Sequence, residues 1–118
     1  MAATPEAKVK TRIKDLLESY GSEVYYFMPA MGSFGKSGVP DIIACVHGAF
    51  VAIEVKADKH KNPPTPLQEK NLHEIRVAAG HALVIDANDI DFLQGYIEGV
   101  IENRKLMSNF MKEVFKGL

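Results

Sequence analysis

Apolar residues recur at helical spacing at the start of the chain and then give way to short continuous apolar runs. The helical spacing predicts a helix over residues 5–20, because Thr4 can cap its start and Gly21 suits its end. The runs at residues 24–28, 42–46 and 49–53 predict three strands. The inward stripe of the helix would consist of Val9, Ile13, Leu16, Leu17 and Tyr20.

The second and third predicted strands have no polar face, which is typical of strands buried on both sides. Cys45 would then be a small buried residue in a reducing compartment. His47 and Gly48 suit a two-residue hairpin turn between these strands. Such a turn puts residue 46 opposite residue 49 and, by counting back, Asp41 opposite Glu54, with Cβ atoms about 5 Å apart.

Charged residues stand at the open end of this predicted hairpin, although the neighbouring sequence is apolar. Lys56 lies two residues after Glu54, so strand alternation puts it on the same face as Glu54 and Asp41. A buried carboxylate without a partner is strongly unfavourable unless it takes up a proton. A divalent cation bound by both carboxylates would remove this cost, and a surface salt bridge among the three residues is the plainer alternative.

The second half of the chain predicts two more helices around a fourth strand. Thr65 and Gln68 have the spacing of a capping box around Pro66, and Gly80 would end the helix. Residues 82–85 would form a strand parallel to the third, and residues 86–91 would start the last helix. The inner faces would consist of Leu72, Ile75 and Ala79 in one helix and Ile90, Leu93, Ile97 and Ile101 in the other.

The predicted order is therefore α-β-β-β-α-β-α, an α/β fold with a mixed central sheet flanked by helices. The length suits one domain covering residues 1–118. Residues 105–118 form a final amphipathic segment, with apolar residues at helical spacing between Leu106 and Phe115. This segment would pack either on its own domain or on a second subunit as a dimer contact.

The net charge of −1 and the pI of about 6.4 argue against a protein that coats nucleic acid through its overall charge. A local basic cleft is still compatible with them, since metal-binding acids lower the total charge. Lys59 and Lys61, which follow the third strand, would contact DNA in such a cleft. The sequence has neither an apolar stretch of the roughly 20 residues that a membrane span needs nor a secretory signal, so we expect no membrane contact.

Two motifs resemble those of a nuclease family. Gly38-Val39-Pro40-Asp41 and Glu54-Val55-Lys56 resemble the signature of the VRR-NUC group within the PD-(D/E)XK nuclease superfamily, and the resemblance extends from about residue 6 to about residue 84. It implies a restriction-endonuclease-like core and a Mg²⁺- or Mn²⁺-dependent endonuclease that selects DNA by structure. Small stand-alone members of the group look like homodimeric Holliday-junction resolvases, so the resemblance favours a four-way junction as substrate and a cytoplasmic enzyme of a bacterium or phage-infected cell.

The resemblance also implies a set of metal ligands. Asp41 and Glu54 would bind Mg²⁺ or Mn²⁺ through their carboxylates, and Val55 would bind it through the backbone carbonyl. Glu6 would reach toward the metal ion from the first helix. The alternative for Glu6 is a favourable interaction of its charge with the N-terminus of that helix.

Further residues would act on water and on the phosphate. By resemblance, Lys56 would orient or deprotonate the attacking water, with Gln68 close by at the start of the second helix. Capping alone would also explain Gln68. Lys36 and Ser37 would contact a phosphate beside the metal site. Residues 35–37 also look like the end of a nucleotide-binding P-loop, but they lead into a strand instead of a helix, so we expect no nucleotide cofactor.

Three other functions stay open on the sequence. One is a nuclease that cuts flaps, nicks or ordinary duplex DNA in place of four-way junctions. Another is a nuclease that processes RNA. The third is a DNA-binding module that keeps the fold without catalysis.

Overall fold

The computed structural model describes residues 3–30 and 36–117 and has an α/β fold with three helices and a mixed four-stranded sheet. This confirms the predicted class and element order. Two short 3₁₀ turns, Gly21–Glu23 and Ala87–Asp89, precede β1 and α3. The helices and strands are α1 (Pro5–Glu18), β1 (Val24–Phe27), β2 (Ile42–Val46), β3 (Ala49–Val55), α2 (Pro66–Val77), β4 (His81–Ile85) and α3 (Ile90–Val114).

The sheet has the strand order β1-β2-β3-β4, with antiparallel pairing of β1 to β2 and of β2 to β3. The predicted parallel return is confirmed, since β4 pairs parallel with β3 after α2. The hairpin register is also confirmed, because Val46 pairs with Ala49 and Ile42 with Ile53. Both residues of the turn, at positions 47 and 48, have positive φ, as a tight two-residue hairpin requires.

The hydrophobic core lies between one face of the sheet and the helices α1 and α3. The predicted stripe of α1 contributes Val9, Ile13 and Leu17 as buried residues, while Leu16 and Tyr20 are partly buried at its margin. Helix α3 contributes Leu93, Ile97, Val100 and Ile101. The central strands contribute Ile42, Ala44, Val46, Val51, Ile53 and Val55.

The prediction that β2 and β3 are buried on both faces is wrong for the second face of β2 and for the start of β3. Cys45 is exposed, and so is its register partner Phe50 at 48%. Further along β3, Ala52 and Glu54 on the same face are buried. The reason is the placement of α2, which packs against β4 at one edge of the sheet and leaves Cys45 and Phe50 uncovered.

The residue that turns the chain after α2 differs from the prediction. Ala79, expected on the inner face, is exposed and takes the positive φ of 67° that turns the chain. Gly80 is needed for space instead, since a Cβ there would lie 2.8 Å from Cγ2 of Ile75. Leu72 is buried as predicted, and its neighbour Asn71 is buried with it.

The last helix continues through the final amphipathic segment, which the sequence pattern separates from it. Helix α3 has 25 residues and runs without a break from Ile90 to Val114. The chain after Lys105 does not pack on the core of the described domain, since six large apolar residues within residues 106–115 are 43–61% exposed. The six exposed residues are Leu106, Met107, Phe110, Met111, Val114 and Phe115.

Across the described ranges, no helix has the length and apolar character that a membrane crossing demands.

Candidate functional site

The segment that leads into β2 lies tightly against the start of α2. Gly38 has a φ of 74°, and a Cβ at this position would lie 2.7 Å from Cγ of Leu67. The Nδ2 of Asn71 donates hydrogen bonds to the carbonyl of Ser37 at 3.1 Å and to that of Leu67 at 2.9 Å. Pro40 is buried directly after this contact. The glycine and the asparagine together therefore fix where the chain enters β2.

Asp41 is held at the end of the hairpin by both of its carboxylate oxygens. Its Oδ2 accepts a hydrogen bond from the backbone N–H of Val55 at 2.8 Å. Since β2 starts one residue later, this carboxylate takes the place of a strand partner for Val55. Its Oδ1 lies 3.7 Å from Nζ of Lys10, a residue of α1.

Glu54 lies beside Asp41 on the same face and is the more buried of the two, at 1% exposure. Its Oε2 has no hydrogen-bond partner among the described residues. The pKa of Glu54 is raised to about 9, mainly by burial and then by Asp41, which acts as a hydrogen-bond partner and as a negative charge. Glu6, on α1, contributes to the upward shift of the Glu54 pKa, whereas Lys56 opposes it.

Lys56 and Gln68 contact each other directly. The Nζ of Lys56 donates a hydrogen bond to Oε1 of Gln68 at 2.9 Å. The same oxygen accepts from the backbone N–H of Thr65 at 2.9 Å, and Thr65 Oγ1 accepts from the backbone N–H of Gln68. The predicted capping box is therefore confirmed. The two interpretations of Gln68 are compatible, because one side chain both caps α2 and holds the lysine.

The four residues proposed to contact DNA are spread over two places. Lys36 lies 3.7 Å from Glu74 on α2, and Ser37 is beside it, with its carbonyl bound to Asn71. Lys59 forms a 2.8 Å ion pair with Asp89, and Lys61 is exposed nearby. DNA contact by these residues stays a prediction, and Lys59 already has a structural partner.

Sequence reasoning missed three polar residues around this site. Lys10 carried a signal, since it lies four residues after Glu6 and therefore on the same face of α1. Asn71 and Asp86 are both buried, at 5% and 1% exposure. Asp86 accepts a hydrogen bond from the backbone N–H of Lys59 at 3.0 Å, and this bond is the largest cause of its lowered pKa. Their roles depend on loop contacts that no periodic pattern records.

An apolar groove of about 720 Å³ lies next to the carboxylates, between α2 and the first three strands. Its floor and walls include Phe27, Ile43, Phe50 and Ile75. None of Asp41, Glu54 or Lys56 lines it. The charged groups therefore form a site of their own at the end of the hairpin.

The donor set at the hairpin end fits a small hard cation. In the part of the chain that the structure describes, no three His, Cys, Asp or Glu side chains cluster as a metal site. Mg²⁺ needs fewer protein ligands, commonly one or two carboxylates with water completing the octahedron. Asp41 and Glu54 supply such a pair, and the unpartnered Glu54 Oε2 is a free oxygen donor. The Val55 carbonyl points to the same side as its N–H, and so toward Asp41.

No protein-family model matches this chain, and a search of curated proteins gives no match either. The fold and the contacts at the hairpin end define an α/β protein with a buried glutamate beside a partly exposed aspartate, and with a lysine held by Gln68 at the same end of the sheet.

Proposed function

We propose that this protein is a Mg²⁺- or Mn²⁺-dependent endonuclease that hydrolyses phosphodiester bonds in DNA, with four-way junctions as its substrate. The observation that carries the proposal is the buried Glu54, whose Oε2 has no partner, directly beside Asp41. A fold tolerates such a pair when a bound cation compensates it. The lysine two residues further along the same strand face adds the third group that phosphodiester hydrolysis needs.

The fold and motifs support a more specific assignment within this proposal. The element order and the antiparallel hairpin carrying both acids are compatible with the PD-(D/E)XK nuclease core. The motif Gly38-Val39-Pro40-Asp41 resembles that of the VRR-NUC group, and its glycine and proline lie in tight contacts that aim Asp41. We therefore assign the chain to this group as a small member.

In the proposed mechanism, Asp41, Glu54 and the Val55 carbonyl would hold the metal ion, and Glu6 would reach toward it from α1. A bound Mg²⁺ or Mn²⁺ supplies positive charge for the phosphate and lowers the pKa of a coordinated water. Lys56 would orient the attacking water as an ammonium group or, in its neutral form, would accept a proton from it. Gln68 keeps the lysine in place through the 2.9 Å hydrogen bond to its Nζ.

The main rival is a DNA-binding module without catalysis. The contact between Lys56 and Gln68 favours the enzyme, because a module that only binds DNA has no need to fix a lysine beside two acids. The other nuclease alternatives, which are cleavage of flaps, nicks or duplex DNA and processing of RNA, would use the same Asp41, Glu54 and Lys56. They differ from the proposal only in substrate, so a comparison of substrates separates them.

The test is cleavage of an immobile four-way junction, a flap, a linear duplex and an RNA hairpin in Mg²⁺, Mn²⁺ or EDTA. We expect paired nicks in opposing junction arms by the wild type in metal, and none in EDTA. Lys56→Ala should abolish cleavage while Mn²⁺ still binds, since both carboxylates remain. The matched control is Lys70→Ala, which removes an exposed lysine of α2 and should leave the rate unchanged.

Two results would contradict the proposal. Wild-type cleavage by Lys56→Ala would remove the site assignment. Metal-independent DNA binding without cutting of any substrate would leave the binding module as the better interpretation. Cutting of flaps or duplex alone would keep the nuclease and exclude the resolvase.

We also propose that the protein acts as a homodimer in the cytoplasm of a bacterium or phage-infected cell. A two-fold dimer presents two symmetric sites, which suits cuts on opposing strands of a symmetric junction. The exposed apolar half of α3 supports a contact between two copies.

A further inference from the structure

Lys10 is a basic residue at the hairpin end that the proposed roles above do not use. It lies on α1, and its ammonium group is 3.7 Å from Oδ1 of Asp41. Its side chain is 29% exposed, so it is partly covered and still accessible to a ligand. Glu6 lies four residues earlier, on the same side of the helix, and interacts electrostatically with Glu54. The exposed start of α1 therefore forms one wall of the site.

Among the described lysine contacts, the pair of Lys10 with Asp41 is as loose as the 3.7 Å pair of Lys36 with Glu74 and looser than three others. A charge-assisted hydrogen bond between an ammonium group and a carboxylate is typically about 2.7–2.9 Å long. Lys56, Lys59 and Lys105 all meet their partners at 2.8–2.9 Å. Lys10 makes no hydrogen bond of that kind, and its flexible stem leaves the ammonium group free to move.

The formal charges of the site show what Lys10 would contribute to substrate binding. Three carboxylates face two ammonium groups there, namely those of Lys10 and Lys56. With one divalent cation and all three acids ionised, the site has a single positive charge. That charge matches the single negative charge of a phosphodiester. Without Lys10 the loaded site would have one positive charge fewer and would bind the substrate more weakly.

We propose that Lys10 is a phosphate-binding residue, whose ammonium group leaves Asp41 for a non-bridging oxygen of the DNA backbone when the metal site is filled. This inference rests on the proposed nuclease function. A divalent cation bound at Asp41 repels the ammonium group of Lys10, which moves toward the negative charge that enters. The contact with Asp41 is then the resting position of a substrate-binding side chain.

The test measures how DNA affinity depends on salt in the presence and absence of Mn²⁺. A Lys56→Ala background prevents cleavage, and junction binding is followed by fluorescence anisotropy over a range of NaCl concentrations. In Mn²⁺, we expect Lys10→Met to make the slope of log affinity against log salt shallower by about 0.9, the value for one lost phosphate contact. In EDTA, where Lys10 stays at Asp41, the slope should not change.

Matched variants separate a specific contact from a general loss of charge. Lys8→Met removes an exposed lysine of the same helix and should leave the Mn²⁺ slope at the parent value. Lys10→Arg keeps the charge and should restore the slope. Thermal melts of each variant show that it is folded, and Mn²⁺ titration shows that the metal site is intact.

An unchanged slope for Lys10→Met in Mn²⁺ would overturn the inference, and so would the same change in Mn²⁺ and EDTA. If the wild type cleaves DNA while the slope is unchanged, the Lys10 inference alone fails. If the wild type neither cleaves nor binds DNA in Mn²⁺, the proposed function fails together with it.

Discussion

At the residue scale, the protonation of Glu54 is coupled to folding. Its pKa is raised from 4.5 to about 9, mainly by burial and then by Asp41. Between these two values the folded protein holds a proton that the unfolded chain has released. Stability from this group is therefore greatest at low pH and decreases as the pH rises, by up to about 1.4 kcal/mol per pH unit.

Comparison with Glu54→Gln isolates this contribution, because glutamine keeps the shape and cannot ionise. Without metal, we expect the free energy of unfolding of the wild type to fall relative to the variant from pH 5 to pH 8. Urea unfolding in EDTA at several pH values measures it. Glu69→Gln, an exposed change on α2, controls for the loss of a charge. A constant difference between wild type and Glu54→Gln would show that Glu54 is ionised in the metal-free protein.

At the element scale, the contact between Gly38 and α2 determines how the chain enters β2. Alanine there would have to adopt a left-handed φ and also place its Cβ 2.7 Å from Cγ of Leu67. Gly21 offers a control, since its φ is 59° and a Cβ there would meet no atom within 4 Å. We expect Gly21→Ala to cost about 1 kcal/mol for the backbone alone, and Gly38→Ala about 1–3 kcal/mol more.

A second substitution tests the steric part of this prediction. Leu67 is 45% exposed, so Leu67→Ala should remove the closest contact with only a moderate loss of its own, while the 3.1 Å contacts to Asn71 Nδ2 and to the Leu67 backbone remain. The double variant Gly38→Ala/Leu67→Ala should therefore lose less unfolding free energy than the two single variants lose together. Chemical denaturation of the four proteins gives the comparison. Equal losses for Gly21→Ala and Gly38→Ala would mean that α2 moves away at little cost.

The hairpin was predictable because local rules determine it. A two-residue turn and the alternation of strands leave one register, so the sequence alone places Asp41 and Glu54 together. The exposure of Cys45 was not predictable in this way, because it depends on which strands α2 covers. The Asp41 hydrogen bond to Val55 was also out of reach, since it depends on β2 starting one residue later.

The length of α3 shows a different limit of the pattern. The polar residues 102–105 separate the core stripe from the later apolar residues, and this separation favours two segments. All four are compatible with a helix, and two of them attach it to the hairpin turn region. Lys105 forms a 2.8 Å ion pair with Glu23, and Arg104 donates to the carbonyl of His47. These contacts explain a continuous helix that polarity alone does not predict.

At the scale of the whole molecule, α3 is longer than the domain it packs on. Its first half is in the core, and its last anchors are the contacts of residues 104 and 105 near the hairpin turn. The molecule is accordingly elongated, at 56 × 29 × 24 Å. Six large apolar residues follow within residues 106–115, and exposed apolar area of this kind is typical of an interaction surface.

The exposed apolar residues at 106–115 predict that two copies of the chain assemble. We expect light scattering at micromolar concentration to give twice the chain mass of 13.0 kDa for the wild type. Phe110→Glu combined with Met111→Glu should give the mass of one chain, because both residues belong to the apolar half of α3. The control is Phe92→Glu, a change at a similarly exposed phenylalanine near the start of the same helix, which should stay dimeric.

The same variants connect assembly to the proposed activity. The Asp41 and Glu54 pair lies at the end of the hairpin opposite the turn, and the α3 anchors are at the turn. Loss of the dimer should therefore leave each site intact and abolish only the coordination between two of them. The Phe110→Glu/Met111→Glu protein should still nick junctions singly while paired nicks disappear. A wild type that scatters as a single chain would contradict the dimer. Paired nicks by a monomeric variant would mean that one chain makes both cuts in turn.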